Sequence, residues 1–384
     1  MRKYGILFWA LISVSTQSAE VTVRTSEELR HAFSQANPGD RIRVAPGKYR
    51  GGISIRNVSG RKDAPIVIAA ADEKNPPVFE GGNSGMMLSD CNHLELRGLH
   101  FSGARVNGLN IDDGGSFETP STGIVLSGLR VSDVGDRGNN DGIKLSGLTE
   151  FRVENCVIER WGRSGSGIDM VGCRNGAIEK CVFRHQGPMD GASGVQAKGG
   201  SESITIRHSR FENAGQRGVN LGGSTGLAYF RPKPRGFEAR EIVAERNVFI
   251  GGLAPVCFVG SVDCVFRFNT VYRPAKWVVR ILQENNERGF VPCQRGVFKA
   301  NLIVFDTSQT RIHINVGGNT APETFKFEQN YWYCRDRPAA SRPRLPVNES
   351  SGVYGREPLF YDESKGDFRG KAEGGATKAS AYAR

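Results

Sequence analysis

Lys144, Asp169, Gln196 and Asn220 stand at one position of a short repeated pattern, and Lys198 follows Gln196 by two residues. If successive repeats lie side by side, these residues form one patch of mixed charge. A lysine whose pKa is lowered by cationic neighbours or by burial can remove a weakly acidic proton. Removing the proton beside a uronate carboxylate, then placing one on the leaving oxygen, is the β-elimination that breaks a uronate chain. Acids offer a second chemistry. Asp141 and Asp169 lie about one repeat apart, and inverting glycoside hydrolysis uses two carboxyls about 6.5–9.5 Å apart.

Other residues suit substrate binding. Arg217 and Arg231, with Lys144, are cations able to face a substrate carboxylate. The run Tyr229-Phe230-Arg231 joins two aromatics to a cation, and Trp277, Arg280 and Glu284 form a second such group. Aromatic faces stack on sugar rings while arginine forks onto carboxylates. Asp112, Gln196, Asn220 and His313 complete the binding set as polar side chains at outward positions. Local packing, turn capping and plain solvation are the alternatives for each.

The elements that must hold these residues are visible as a repeat. A small residue, then apolar, variable, apolar, occurs at Gly85-Met86-Met87-Leu88, Gly108-Leu109-Asn110-Ile111, Gly142-Ile143-Lys144-Leu145 and Gly167-Ile168-Asp169-Met170. It returns at Gly194, Gly218, Pro255, Val278 and Arg311. Such alternation predicts a short strand with one buried face. A second pattern follows at Cys156, Cys181, Ser209, Asn247, Asn269, Asn301 and Asn330. Buried asparagines recurring there can bond the coils above and below. Stacked positions of this kind mark a solenoid.

The interval from second pattern to next first pattern is nearly constant, 10 to 15 residues, whereas the reverse interval runs from 12 to 27. Insertions therefore leave one edge of the solenoid, and Ile111 to Gly123 adds another. Loops gathered on one edge wall a binding groove, which makes the sheet of the first pattern the functional face. Thr25-Ser26-Glu27-Glu28 is a capping box ahead of Leu29, Ala32 and Phe33. It predicts a short helix over the first open coil.

The 384 residues include 49 Gly and carry a net charge of +11. Residues 1–19 read as a signal peptide, with Arg2 and Lys3 before an apolar run too short to span a membrane. Export to the periplasm or the medium disfavours nucleic acid as partner and favours an acidic glycan. It also permits disulfides among the eight Cys, with Cys156–Cys181 and Cys257–Cys264 as possible pairs. Residues 20–370 are expected to form one monomeric domain, with 371–384 a flexible tail.

The pattern resembles the right-handed parallel β-helix of secreted polysaccharide lyases. The opening Ser26-Glu27-Glu28-Leu29, Asn37-Pro38-Gly39-Asp40, Pro46-Gly47-Lys48-Tyr49 and Ala64-Pro65-Ile66-Val67-Ile68 resemble the alginate lyase and chondroitinase B family. So does Val195-Gln196-Ala197-Lys198 with Ile204-Thr205-Ile206 and Arg210-Phe211. The resemblance implies that Lys198 is the catalytic base. It also implies calcium held by carboxylates, but Ser193 and Gly191 occupy those positions, and Gly222 stands where the family has its arginine. No metal ligand is therefore assigned. Asn139-Asn140-Asp141 resembles the start of the polygalacturonase site, without that family's later motifs.

The sequence thus predicts an all-β, right-handed parallel β-helix with an N-terminal capping helix, acting on an acidic polysaccharide by elimination. Lys198, Asp169, Lys144 and Arg217 form its catalytic set. A hydrolase using Asp141 and Asp169, or a glycan-binding or envelope protein without chemistry, are the alternatives.

Overall fold

A computed structural model describes residues 18–116, 118–187, 189–371 and 379–383. The signal-peptide reading falls almost wholly outside them. Three long parallel sheets of sixteen, ten and twelve strands wind into a right-handed β-helix. Each coil contributes a strand to each sheet, and a two-stranded antiparallel sheet, Phe360–Asp362 with Asp367–Gly370, lies outside the coils. Among the described residues no helix is long and apolar enough to cross a membrane.

The first pattern forms the ten-stranded sheet. Its apolar positions stack inward: Leu109 pairs with Ile143, Ile143 with Ile168, and Ile168 with Val195. Each of these side chains is fully buried. The small residue at the head of the pattern has a steric cause. A Cβ on Gly142 would lie 2.6 Å from the Gly167 carbonyl oxygen of the next coil. The variable positions stack as expected through Asn110, Lys144, Asp169, Gln196, Asn220, Cys257 and Arg280.

The last rung differs from expectation. Arg280 pairs with Asn315, not His313. His313 instead packs its ring against Phe305, with centroids 4.7 Å apart, and against Trp332. Burial there lowers its pKa. It is half-buried against the aromatic side chains of the last coil and does not take the rung beside Arg280.

The second pattern turns the chain into the twelve-stranded sheet, and its asparagines form a continuous ladder. Asn247, Asn269, Asn301 and Asn330 are all fully buried. Asn269 Oδ1 accepts from the backbone N–H of Asn247 at 2.9 Å and from its Nδ2 at 3.1 Å. Asn269 Nδ2 donates to the Ala244 carbonyl at 3.0 Å and to Asn301 Oδ1 at 3.1 Å. The ladder ends where Glu349 accepts from Asn330 Nδ2 at 2.7 Å and from Trp332 Nε1 at 3.1 Å. Beside it runs an aromatic stack. Phe183, Phe211 and Phe249 lie 4.8 and 4.6 Å apart, their planes nearly parallel.

The ends are closed. Helix Ser26–Gln35 begins at Thr25, whose hydroxyl accepts from the Glu28 N–H, while Glu28 accepts from the Arg24 N–H at 2.6 Å. Leu29 and Phe33 are buried against the first coil. Of the expected flexible tail, residues 379–383 instead pack on the twelve-stranded sheet. Ala379 meets Leu302 and Tyr331, and the Ala381 N–H donates to Thr270 Oγ1 at 3.0 Å. Small alanines are what that close approach admits. All eight cysteines are buried free thiols. Cys156 and Cys181, on neighbouring rungs, donate to the Glu154 and Glu179 carbonyls at 3.2 and 3.3 Å rather than to a disulfide.

Replacing Asn269 by Ala strands the amide of Asn247 and the Ala244 carbonyl in the interior. Each orphaned group costs about 1–3 kcal/mol, so Asn269→Ala should lower the unfolding free energy by at least about 2 kcal/mol in a urea titration. A loss under about 0.5 kcal/mol would show that the ladder carries no stability.

Candidate active site

The outer face of the ten-stranded sheet carries a buried ionic cluster built from three successive coils. Strand Ile143–Ser146 presents Lys144, strand Ser166–Val171 presents Asp169, and strand Ser193–Lys198 ends on Lys198. Parallel pairing sets Lys144 directly beside Asp169, and Lys198 beside Val171. Lys144 Nζ donates to Asp169 Oδ2, and Lys198 Nζ stands 3.5 Å from the same oxygen. The Asp169 side chain is 1% exposed, whereas Lys144 and Lys198 retain 20% and 16%. Asp169 therefore lies beneath two ammonium groups that reach solvent. Its Oδ1 is buried without a hydrogen bond among the described residues.

Asp141 joins this cluster from the foot of the first strand. Its Oδ2 lies 3.8 Å from Lys144 Nζ, and its Oδ1 accepts from the Ser166 N–H at 2.8 Å. Burial, reinforced by the charge of Asp169, raises the Asp141 pKa to about 7. Burial alone would lower Lys144, but Asp169 and Asp141 outweigh it and hold its pKa above the ordinary value. Lys144 is thus a fixed ammonium, suited to facing an anion and unsuited to taking a proton. At pH below about 7 the cluster sets two ammoniums and a neutral Asp141 against one carboxylate, an excess of positive charge.

The remaining predicted residues divide. Gln196 accepts from Ser166 Oγ at 3.3 Å and donates to the Gly222 carbonyl at 3.4 Å, so it borders the cluster. Asn220 is buried, donates to the same carbonyl at 3.2 Å, and accepts from Arg217 at 3.3 Å. Arg217 is further tied to Glu284 at 2.6 Å, which makes a second group one coil beyond Lys198. Asp112 accepts from Ser89 Oγ at 2.6 Å and Asn110 Nδ2 at 2.8 Å, one coil before Lys144 and two before Asp169.

Three expectations need correction. Arg231 is not available to a substrate carboxylate: its Nε lies 2.8 Å from Asp113 Oδ2, with its own side chain only 13% exposed. Trp277 does not offer an open ring, because Lys276 and Arg280 stand 4.2 and 4.4 Å from its centroid. Arg280 is also bonded to Asn315 Oδ1 at 3.0 Å. The outward face as a whole is less exposed than alternation implied, with Cys257 and Val259 fully buried in an apolar cluster beside Trp277. Of the aromatics expected to bind sugar, Phe230 is buried and Tyr229 stands out, 67% exposed on the insertion.

The burial comes from insertions that fold back over the sheet edge. Glu238, fully buried, organises them. It accepts from the Gly199 N–H at 2.9 Å, the Thr225 N–H at 2.8 Å, Thr225 Oγ1 at 2.7 Å and Asn285 Nδ2 at 3.0 Å. One carboxylate thereby fastens segment 223–238 and segment 283–292 to the coil of Lys198. No sequence signal marked it, since a lone glutamate inside an insertion is unremarkable by type. The Gly222 position, where the lyase family has arginine, admits no side chain: a Cβ there would lie 1.8 Å from the Val259 carbonyl oxygen. Calcium does not fit either. Ser193 and Gly191 offer no carboxylate, and no metal-holding group of acids, histidines or cysteines occurs among the described residues.

Residues 71–232, which contain this cluster, match the family described as "Right handed beta helix region". Among solved structures, the chain is similar to an alginate lyase from Paenibacillus sp. str. FPU-7, with 18% identity and a TM-score of 0.54 over 87% of this chain and 98% of that one. It is similar to the pectate lyase Pel9A, with 14% identity and a TM-score of 0.54 over 96% and 97%. A mannuronic acid specific polysaccharide family 6 lyase from human gut microbiota gives 14% identity and 0.52 over 91% and 94%. At these identities the likeness is one of fold, and it agrees with the parallel β-helix that the sequence predicted. No curated protein matches the chain in sequence.

Two outcomes check the site as described. Between pH 4 and about 7 the folded protein holds a proton on Asp141 that the unfolded chain has released, so stability must fall as pH rises through that window. Urea titrations at pH 5 and 7 should show wild type losing about 1–3 kcal/mol more than Asp141→Asn; parallel profiles would contradict the raised pKa. Separately, Glu238→Ala should speed tryptic cleavage at Arg235 and Arg288 several-fold while the circular dichroism of the coils is retained. Unchanged cleavage would show that Glu238 does not hold the insertions.

Proposed function

We propose that the protein binds an acidic, uronate-containing polysaccharide across the outer face of the ten-stranded sheet and cleaves it by β-elimination. The observation that carries this reading is the pair of partly exposed ammoniums, Lys144 and Lys198, held side by side over one buried carboxylate. An excess of positive charge at the bottom of a walled face suits a polyanion. The lyase activities of the structurally similar proteins support the reaction class.

In this reading a substrate carboxylate lies against Lys144, whose charge stabilises the electron density that develops when the adjacent carbon loses its proton. Lys198, after giving its ammonium proton to solvent, takes the substrate proton as a neutral amine. The carbon–carbon double bond forms as the glycosidic bond breaks, and its electron pair leaves with the oxygen, which receives a proton from water or from a neutral Asp141. Asp169 acts as a positioning residue beneath both lysines. Gln196 and Asn220 hold sugar hydroxyls, Tyr229 lines the outer wall, and Arg217 with Glu284 forms the next subsite. The protein works as an exported monomer, secreted or periplasmic.

One observation favours a second reading. Asp141, with its pKa raised to about 7, has the protonation behaviour of a general acid and shares its cluster with Asp169. Elimination leaves an unsaturated, ultraviolet-absorbing uronate end, whereas hydrolysis leaves reducing ends without that absorbance. A pure binding protein releases neither.

Wild type incubated with alginate, pectate and chondroitin should generate the unsaturated end on at least one of them. Lys198→Ala should lower kcat on that substrate by about 10²–10⁴-fold with KM changed little. Lys198→Arg should not restore activity, since a guanidinium does not surrender its proton near neutral pH. Full activity in Lys198→Ala, or reducing ends without absorbance, would overturn the assignment.

A further inference from the structure

Along the flanks of the solenoid, arginines are paired with acids rung by rung. Arg97 meets Glu95, Arg130 meets Glu159, Arg152 meets Glu154, Arg207 meets Glu179 and Arg267 meets Glu245. One group breaks this habit. A cleft of about 730 Å³ at the first three coils is lined by Arg30, Arg50 and Arg105 and by glycines 51, 52, 81, 82 and 103, without any acidic residue. Arg50 makes no ion pair or side-chain hydrogen bond among the described residues. Arg105 has only a neutral partner, Asn83 Oδ1 at 2.8 Å. Arg30 touches Glu27 at 3.5 Å across a largely exposed pair, a contact worth little in water.

The cleft's walls are bare backbone for a physical reason. A Cβ on Gly51 would lie 2.1 Å from the Gly81 carbonyl, and one on Gly82 2.4 Å from the Gly52 nitrogen. The turns therefore stack without side chains, and three guanidinium groups from the capping helix and from two coils project around a surface that nothing else fills. Unpaired, planar and doubly donating, guanidinium suits carboxylate and sulfate oxygens.

The cleft opens where the chain enters strands Ile53–Arg56, Ser84–Ser89 and Asn107–Asp112, the first three of the ten-stranded sheet counted from its N-terminal end. The next three carry Lys144, Asp169 and Lys198. Neighbouring strands are about 4.8 Å apart, so the centres of cleft and cluster are about 14 Å apart along the axis. A short oligosaccharide spans that distance.

We infer that Arg30, Arg50 and Arg105 form an anion subsite that grips a carboxylate or sulfate of an acidic glycan three coils from the Lys144–Lys198 cluster. Its assignment to the same glycan rests on the function proposed above. The subsite fixes the direction of extension: the bound chain runs toward the capping helix, and its affinity depends on anionic groups well away from the bond being cleaved.

The test is calorimetric binding at low and moderate salt, using the full chain with oligogalacturonate, a dextran sulfate oligosaccharide and neutral dextran. Wild type should bind at least one anionic probe and not the neutral one; the preferred probe tells carboxylate from sulfate. Arg50→Ala/Arg105→Ala should bind about tenfold more weakly or worse, with a shallower salt dependence. Arg97→Ala/Arg152→Ala, which removes the same charge from another sheet, should bind as wild type. Equal affinity in the Arg50/Arg105 variant, equal weakening in the control, or no binding of either anionic probe would overturn the subsite. If the arginine variant loses binding but wild type yields no unsaturated ends on any acidic substrate, the subsite stands and the elimination reading falls.

Discussion

The parallel register of one coil on the next is the constraint from which the rest of the molecule follows. Because each rung sets a residue beside its counterpart 23 to 37 positions later, side chains far apart in sequence become neighbours about 4.8 Å apart. Hydrophobic stacking inside the coil and the asparagine ladder at its corner keep that register from slipping. A shift by one residue would turn every outward side chain inward. The Lys144–Asp169–Lys198 cluster exists only because three consecutive rungs are locked in phase.

Burial then decides what the cluster is. Two ammoniums over a single carboxylate would be an ordinary screened surface group if the sheet were open. Here Asp169 is out of water beneath the side chains of Lys144 and Lys198, which strengthens each interaction, and the burial of Asp141 beside it shifts that residue's proton equilibrium. The folding-back of the insertions consumes Arg231, while the face of Trp277 is taken by its own chain neighbours Lys276 and Arg280. Walls and site are therefore built from overlapping residues. The positive charge left unpaired at the capping-helix end stands apart from this economy of paired ions.

Much of this was legible in the sequence because it is local or periodic. The small-apolar-variable-apolar repeat identified nine strands of the ten-stranded sheet and all but two rungs of its outward column, Ser54 at the first strand and Asn315 at the last. The capping box located the helix, and four asparagines at one position foretold the ladder. Unequal intervals showed which edge carries the loops. His313 was misplaced for a physical reason: alternation has a period of two, so Ile312, Ile314 and Val316 cannot tell a register from one shifted by two residues. Once the leading glycine is lost, nothing else fixes the phase. The pairing of Arg231 with Asp113 and the role of Glu238 were out of reach, since both join segments that only tertiary folding brings together. The packing of Ala379–Ala383 was hidden likewise, because small residues read as disorder until a close surface is known.

The central claim is that an acidic sugar chain lies over Asp169 with its carboxylate on Lys144 and its reactive carbon toward Lys198. The most direct measurement is a crystal structure of Lys198→Ala soaked with a mannuronate or galacturonate tetrasaccharide. The account predicts a uronate carboxylate within hydrogen-bonding distance of Lys144 Nζ, with the proton-bearing carbon facing the space left by the lysine side chain. A tetrasaccharide bound on another face, or across the sheet without contact to Lys144, would contradict it.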